Sequence, residues 1–130
     1  MKEPIFLTLA EVLELHKFQV DKYGGTQGLR DLGLLESAVA VPQASFGGEL
    51  LHRSVFEIAA AYAYHIAENQ PFLDGNKRAA LAAALVFLEL NGFSADDQKG
   101  ELYDAMMAIA ARRLDKMGLA GVFEKLAVKA

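Results

Sequence analysis

Between residues 79 and 90 the sequence carries a single charged residue, Glu89. A helix apolar on nearly every side has to be covered on nearly every side. The stretch therefore predicts a buried central helix, and its many alanines let neighbouring helices approach closely. It begins near Gly75 or Asn76, and Asn91-Gly92 supplies the exit signal. Just upstream, Ser54 and Glu57 form a capping box that opens a helix over 54–68 through Ile58, Ala59, Ala63 and Ile66. Only a short polar loop joins these two helices, which makes them antiparallel neighbours. That loop sits at the end of the core, held by a rigid helix on each side.

The remaining elements follow from caps and breakers. Thr8 and Glu11 form another capping box, Leu7 and Val12 are placed as a hydrophobic staple, and Gly24-Gly25 ends this first helix. Residues 26–31 read as a loop whose Asp31 caps a short helix through Leu34, Leu35, Ala38 and Val39, stopped by Pro42. Residues 43–52, with Gly47-Gly48, read as a loop or small flap. Two further helices are expected over 101–113 and 116–129, and no alternating strand, repeat or low-complexity linker stands out. The expectation is an all-α fold: a compact bundle of about six helices with a short flap-like loop, filling residues 1–130 as one domain.

Composition narrows the function classes. Hydrophobic residues make up 53% and charged residues 23%, enough apolar material for a packed core rather than a disordered chain. Thirteen Lys+Arg against seventeen Asp+Glu leave a net charge of -4, whereas a duplex-binding surface shows a strong positive excess. Direct nucleic-acid binding is not expected. No run of eighteen residues escapes a charge or a histidine, and Met1-Lys2-Glu3-Pro4 lacks the start of a secretory signal. With no cysteine, disulfides and thiolate metal sites are excluded. A cytoplasmic protein with no membrane association is the expectation.

The polar loop carries the chemistry. In Asp74-Gly75-Asn76-Lys77-Arg78 a helix begins, and its first turn offers unpaired N–H groups and the positive end of a dipole. Gly75 lets a ligand approach the backbone. Lys77 and Arg78 place two cations where the dipole disfavours them, which suggests an anion from outside. Asp74 is a hard oxygen ligand suited to Mg²⁺, which binds through one or two carboxylates plus substrate phosphates. Asp-Gly-Asn is also a common turn and cap, so on physics alone both readings stay open.

Gln70-Pro71-Phe72-Leu73-Asp74-Gly75-Asn76-Lys77-Arg78 resembles the Fic/Doc-family motif His-Pro-Phe-x-(Asp/Glu)-Gly-Asn-(Gly/Lys)-Arg at every position except the first. Tyr23-Gly24-Gly25, Gly28, Arg30-Asp31 and Gly33-Leu34-Leu35-Glu36 are similar to the death-on-curing branch of that family, and the likeness covers about residues 8–93. The resemblance implies that Phe72 anchors the loop, that Asp74 binds Mg²⁺, and that Gly75 and Asn76 cradle phosphate oxygens. Lys77 and Arg78 then neutralise phosphate charge during transfer. Members that transfer AMP typically carry Gly at position 77 and a second Arg at position 81. Lys77 and Leu81 instead match the Doc branch. That branch implies a toxin that moves phosphate from ATP to elongation factor Tu, arrests translation and is neutralised by a separate antitoxin. A Fic-type AMP transferase and a non-catalytic nucleotide- or partner-binding module are the alternatives. No Ser/Thr-x-x-x-Glu-Gly/Asn segment of the self-inhibiting kind is present, which fits control by a partner.

In the family, position 70 is the histidine that accepts the target hydroxyl's proton. A carboxamide has no usable basicity, and losing a general base costs about a hundred- to ten-thousand-fold in rate. Gln70 therefore leaves the proton-accepting half of the site missing. His65, five residues upstream on a helix, points away from position 70 and reads as a partly buried helix residue. His16 and His52 lie outside any motif and read as solvated side chains. Gly25-Thr26-Gln27-Gly28 reads as a helix cap and turn, and Arg112-Arg113 as helix C-terminal cations. Met106, Met107 and Met117 read as core filler, although a Met-bearing groove could also receive an antitoxin helix.

Overall fold

The computed structural model describes residues 3–130; Met1 and Lys2, part of the N-terminal reading above, lie outside them. Six helices form the fold among the described residues: α1 (Leu9–Tyr23), α2 (Leu32–Ala40), α3 (Val55–Asn69), α4 (Asn76–Leu90), α5 (Glu101–Ala110) and α6 (Lys116–Leu126). A 3₁₀ turn (Val41–Gln43) follows α2. Two small antiparallel pairs complete the chain, β1 (Ser45–Phe46) with β2 (Glu49–Leu50) and β3 (Phe93–Ala95) with β4 (Ala127–Lys129).

The alanine-rich stretches explain the layout. On α3, Ile58, Ala59, Ala60, Ala61, Tyr62, Ala63 and Ile66 are all fully buried, because α2, α4 and α6 pack around it. On α4, Ala79, Ala80, Ala83 and Ala84 are buried with Phe87 and Leu88. Small side chains bring the two helices together as the sequence leads one to expect. Leu7 and Val12, the staple pair, are both buried. The Thr8 capping box is formed from both sides, with Oγ1 accepting from Glu11 N (3.1 Å) and Glu11 Oε1 accepting from Thr8 N (2.8 Å). Tyr62 ties this end of the chain to the core, its hydroxyl accepting from Leu7 N at 2.9 Å. Burial pushes that phenol up to about 12. Tyr62→Phe strands a buried N–H and is expected to destabilise the fold by about 1–3 kcal/mol in urea unfolding.

Within residues 43–52, expected as a loop or small flap, β1 and β2 pair across Gly47-Gly48 as a small hairpin. Two local expectations are corrected. The last helix stops at Leu126 instead of running to 129, and Ala127–Lys129 pairs with Phe93–Ala95. Strands of three residues are too short to show alternation, so periodicity could not have announced them. Finally, α5 ends at Ala110 rather than 113. Arg113 N donates to Ala108 O (2.8 Å) and Arg112 N to Ile109 O (3.0 Å), a Schellman closure with Arg112 left-handed at φ 58. Glycine normally fills that position. A residue with a Cβ there costs about 1–2 kcal/mol, while the exposed Arg112–Glu68 ion pair at 3.5 Å contributes only about 0–1 kcal/mol.

Candidate functional site

The loop between α3 and α4 is built against the segment that follows α1. Gln70 caps α3 in the left-handed conformation (φ 47), and its side chain is exposed. Arg30 holds this turn: Nε donates to Gln70 O at 2.7 Å and Nη2 to Asn69 O at 2.8 Å. Pro71 O accepts from Arg30 N (2.7 Å) and Asp31 N (3.0 Å), and Leu73 N donates to Gly28 O (3.0 Å). Backbone bonds thus lace residues 28–31 to residues 71–73.

Beneath the loop lies Phe72, 2% exposed, its ring stacked on His16 at 3.6 Å and 3°. His16 is itself buried, contrary to the solvated reading, because α1 packs against the start of α4. Its Nε2 stands 2.7 Å from Asp74 O. A carbonyl oxygen only accepts, so Nε2 carries the proton. The Asn76 carboxamide closes on Phe72 from both sides, Oδ1 accepting from Phe72 N (2.9 Å) and Nδ2 donating to Phe72 O (3.0 Å). That leaves the backbone N–H of Asn76, rather than its side chain, to meet an anion.

Asp74 is exposed and oriented by the backbone. Its Oδ2 accepts from Thr26 N (3.1 Å) and its Oδ1 from Gly75 N (2.8 Å). These N–H groups first, and the Arg78 cation less strongly, hold its carboxyl below the usual carboxylate range. Glycine is required beside it: at Gly25 (φ +117) a Cβ would stand 2.7 Å from Asp74 Oδ2. No side chain caps α4, whose N-cap Gly75 is left-handed at φ 74, so the positive end of the helix stays open to a ligand. Carboxylate oxygens beside an open helix N-terminus and two cations are a donor set that fits Mg²⁺ carried on phosphates. Among the described residues no larger His/Asp/Glu cluster is present, and phosphate-borne Mg²⁺ needs none.

Gln70, Asp74, Gly75, Asn76, Lys77 and Arg78 all line one cavity of about 700 Å³, closed on its other side by Tyr103, Met106 and Met107 of α5. Phe72 does not reach it and lies below as support. Of the three methionines, Met106 is buried, whereas Met107 and Met117 are exposed rather than core filler, since α5 and α6 turn those faces outward. A smaller cavity of about 420 Å³ adjoins the first; Glu68, Ile109 and Arg112 line both.

The other histidines lie elsewhere. His52 and His65 face Lys116, whose Nζ sits 3.0 Å and 3.1 Å from their Nε2 atoms, and neither lines the cavity. His52 is buried, not solvated, because it packs at the base of the hairpin against α6. Burial first, then the Lys116 cation, pushes His65 down to about 4 and lowers His52, only partly opposed by Glu68 and Glu57. Both imidazoles are therefore neutral acceptors in the folded chain and must gain protons on acidification. Depressed folded values mean stability that is complete above the ordinary histidine range and is lost as pH falls from about 6.5 towards 4. Urea midpoints are expected to fall between pH 7 and pH 5 by the equivalent of about 1–2 kcal/mol, with His65→Asn flattening the profile.

Sequence reading missed the supports. Arg30 and His16 hold the loop from positions about forty to sixty residues away, and spacing along one chain cannot pair such positions. The signal that existed was the Gly28 to Asp31 stretch of the resemblance.

Comparison with known proteins identifies the family. The Fic/DOC family model matches residues 6–88. "Toxin Doc" of Mycolicibacterium smegmatis is 41% identical over 95 residues, covering 72% of this chain and 73% of that protein. "Protein kinase doc" of Escherichia phage P1 is 33% identical over 116 residues, covering 89% and 90% respectively. With the family motif set around one cavity and the match spanning the α1–α4 core, the chain belongs to the Fic/Doc family.

Proposed function

We propose that this chain is a Doc-type toxin domain, built to move phosphate from ATP to a protein hydroxyl and stopped at the proton-transfer step by Gln70. The observation that carries the reading is the convergence of Asp74, Lys77, Arg78 and the uncapped start of α4 on one cavity that Gln70 also lines. Relatives named "Toxin Doc" and "Protein kinase doc" support it, as do Lys77 and Leu81 at the positions that set the Doc branch apart.

In this reading the nucleotide's phosphates lie against the first turn of α4. The backbone N–H of Asn76 meets their oxygens, Gly75 lets them approach the chain closely, and Lys77 and Arg78 take up charge that grows on the transferring group. Asp74 would hold Mg²⁺, which would supply neutralisation of phosphate charge. His16 and Thr26 fix Asp74 from either side. The residue at position 70, set by Arg30, is where the target hydroxyl's proton has to go, and a carboxamide cannot accept it. The resemblance names elongation factor Tu as the target. It also implies an antitoxin, whose helical segment would find exposed apolar contacts at Tyr103 and Met107 of α5.

The test incubates the Gln70→His chain and elongation factor Tu with ATP labelled at either the γ- or the α-phosphate. Transfer of γ-label supports the proposal. Transfer of α-label makes the chain an AMP transferase, and transfer of neither, with ATP still bound, makes it a non-catalytic binding module.

A further inference from the structure

We infer that Arg112 is a binding residue of the cleft, a third cation that takes the nucleotide's phosphate chain from the side opposite Lys77 and Arg78. The inference rests on the reading of that cleft as a phosphate site. Arg112 lies outside residues 6–88, the stretch the family model matches, and the role inferred for it rests on the structure alone.

Three observations converge. First, Arg112 occupies the left-handed position of a Schellman closure, where glycine is the unstrained choice. Its exposed ion pair with Glu68 is too weak to offset that strain, so stability does not account for an arginine here. Backbone strain held at a cleft is a feature of functional positions. Second, Arg112 lines both adjoining cavities, placing its guanidinium at the rim shared by the main cleft and its smaller neighbour. Third, the Arg112 side chain is 81% exposed and the Glu68 side chain only 25%, so the guanidinium is free to leave its partner for a stronger one. A phosphate chain offers bidentate, doubly charged acceptors that a single carboxylate at 3.5 Å does not match. Glu68 thus parks Arg112 while the cleft holds no phosphate and gives it up when phosphate enters.

Thermal melting of the Gln70 chain with and without ATP and Mg²⁺ tests this, since no turnover interferes. Arg112→Gly is expected to melt higher than the parent without nucleotide, because glycine suits the left-handed backbone. It is also expected to bind ATP about tenfold more weakly, which at a hundredfold excess over the parent's Kd halves the nucleotide-induced rise in Tm. Glu68→Gln is expected to enlarge that rise. A mutant that melts higher yet gains as much from ATP as the parent overturns the role of Arg112 and leaves the phosphate site standing. If ATP raises the Tm of neither the parent nor either variant, the phosphate-site reading itself falls, and this inference with it.

Discussion

Gln70→His is expected to raise the single-turnover rate of phosphate transfer by about a hundred- to ten-thousand-fold, the usual worth of a general base. Expression of that variant should arrest growth, and co-expressed antitoxin should relieve the arrest. The size of the effect follows from what is already in place. Position 70 is exposed to the cavity, Arg30 holds its carbonyl at 2.7 Å, and its backbone sits in a left-handed cap that an imidazole side chain leaves unchanged. The substitution therefore adds basicity without rebuilding the loop. His65 gives no competing route, because its imidazole is engaged with Lys116 outside the cavity. A harmless Gln70→His protein that folds and expresses normally would count against the transferase reading.

Phe72→Ala is expected to have the largest effect on stability. The ring is 2% exposed and stacked on His16, so truncation leaves a cavity beneath the loop at a cost of about 3–5 kcal/mol. Against the 5–15 kcal/mol of an ordinary domain that is a large share, and it should show as a clear drop in the urea midpoint. Function should suffer separately. Without the ring, His16 loses the face that aims its Nε2 at Asp74 O, and Asn76 loses the ordered backbone it clamps. Misplacing catalytic groups by about 1 Å can cost on the order of a hundredfold in rate. In the Gln70→His background, Phe72→Ala is expected to lose at least that much transfer at temperatures where it remains folded. Leu73→Ala is the control: its side chain is 56% exposed, and the change should cost under about 1 kcal/mol.

What could be read from the sequence, and what could not, divides along the range of the interactions. The caps at Thr8, Asp31 and Ser54 act within one helical turn, and each is formed where its residue types place it. The alanine-rich, nearly charge-free α4 needs burial wherever it lies, so its central place followed from composition alone. The motif loop was legible because its residues are contiguous. By contrast, β4 exists only because β3 lies beside it, and Phe93–Ala95 is thirty or more residues distant. His16 and Arg30 reach loop carbonyls with their side chains and Thr26 reaches the Asp74 carboxylate with its backbone N–H, all from far along the chain, a role no side-chain pattern encodes. The buried state of His52 depends on Lys116 arriving from α6. The left-handed Arg112 broke the local rule that puts glycine in such a position, and rule-breaking residues at a cleft are where function competes with stability.

The central claim is that the phosphate half of this site is complete while its proton-accepting half is missing. Calorimetric titration of the unchanged Gln70 chain with ATP in the presence of Mg²⁺ tests it most directly. The account predicts saturable binding at one site, with an affinity within about threefold of that of the Gln70→His chain, because neither the charge nor the shape of the phosphate cradle depends on position 70. It further predicts loss of that binding on Arg78→Ala. A Gln70 chain that takes up no nucleotide at millimolar concentration, while its His variant binds, would contradict the account.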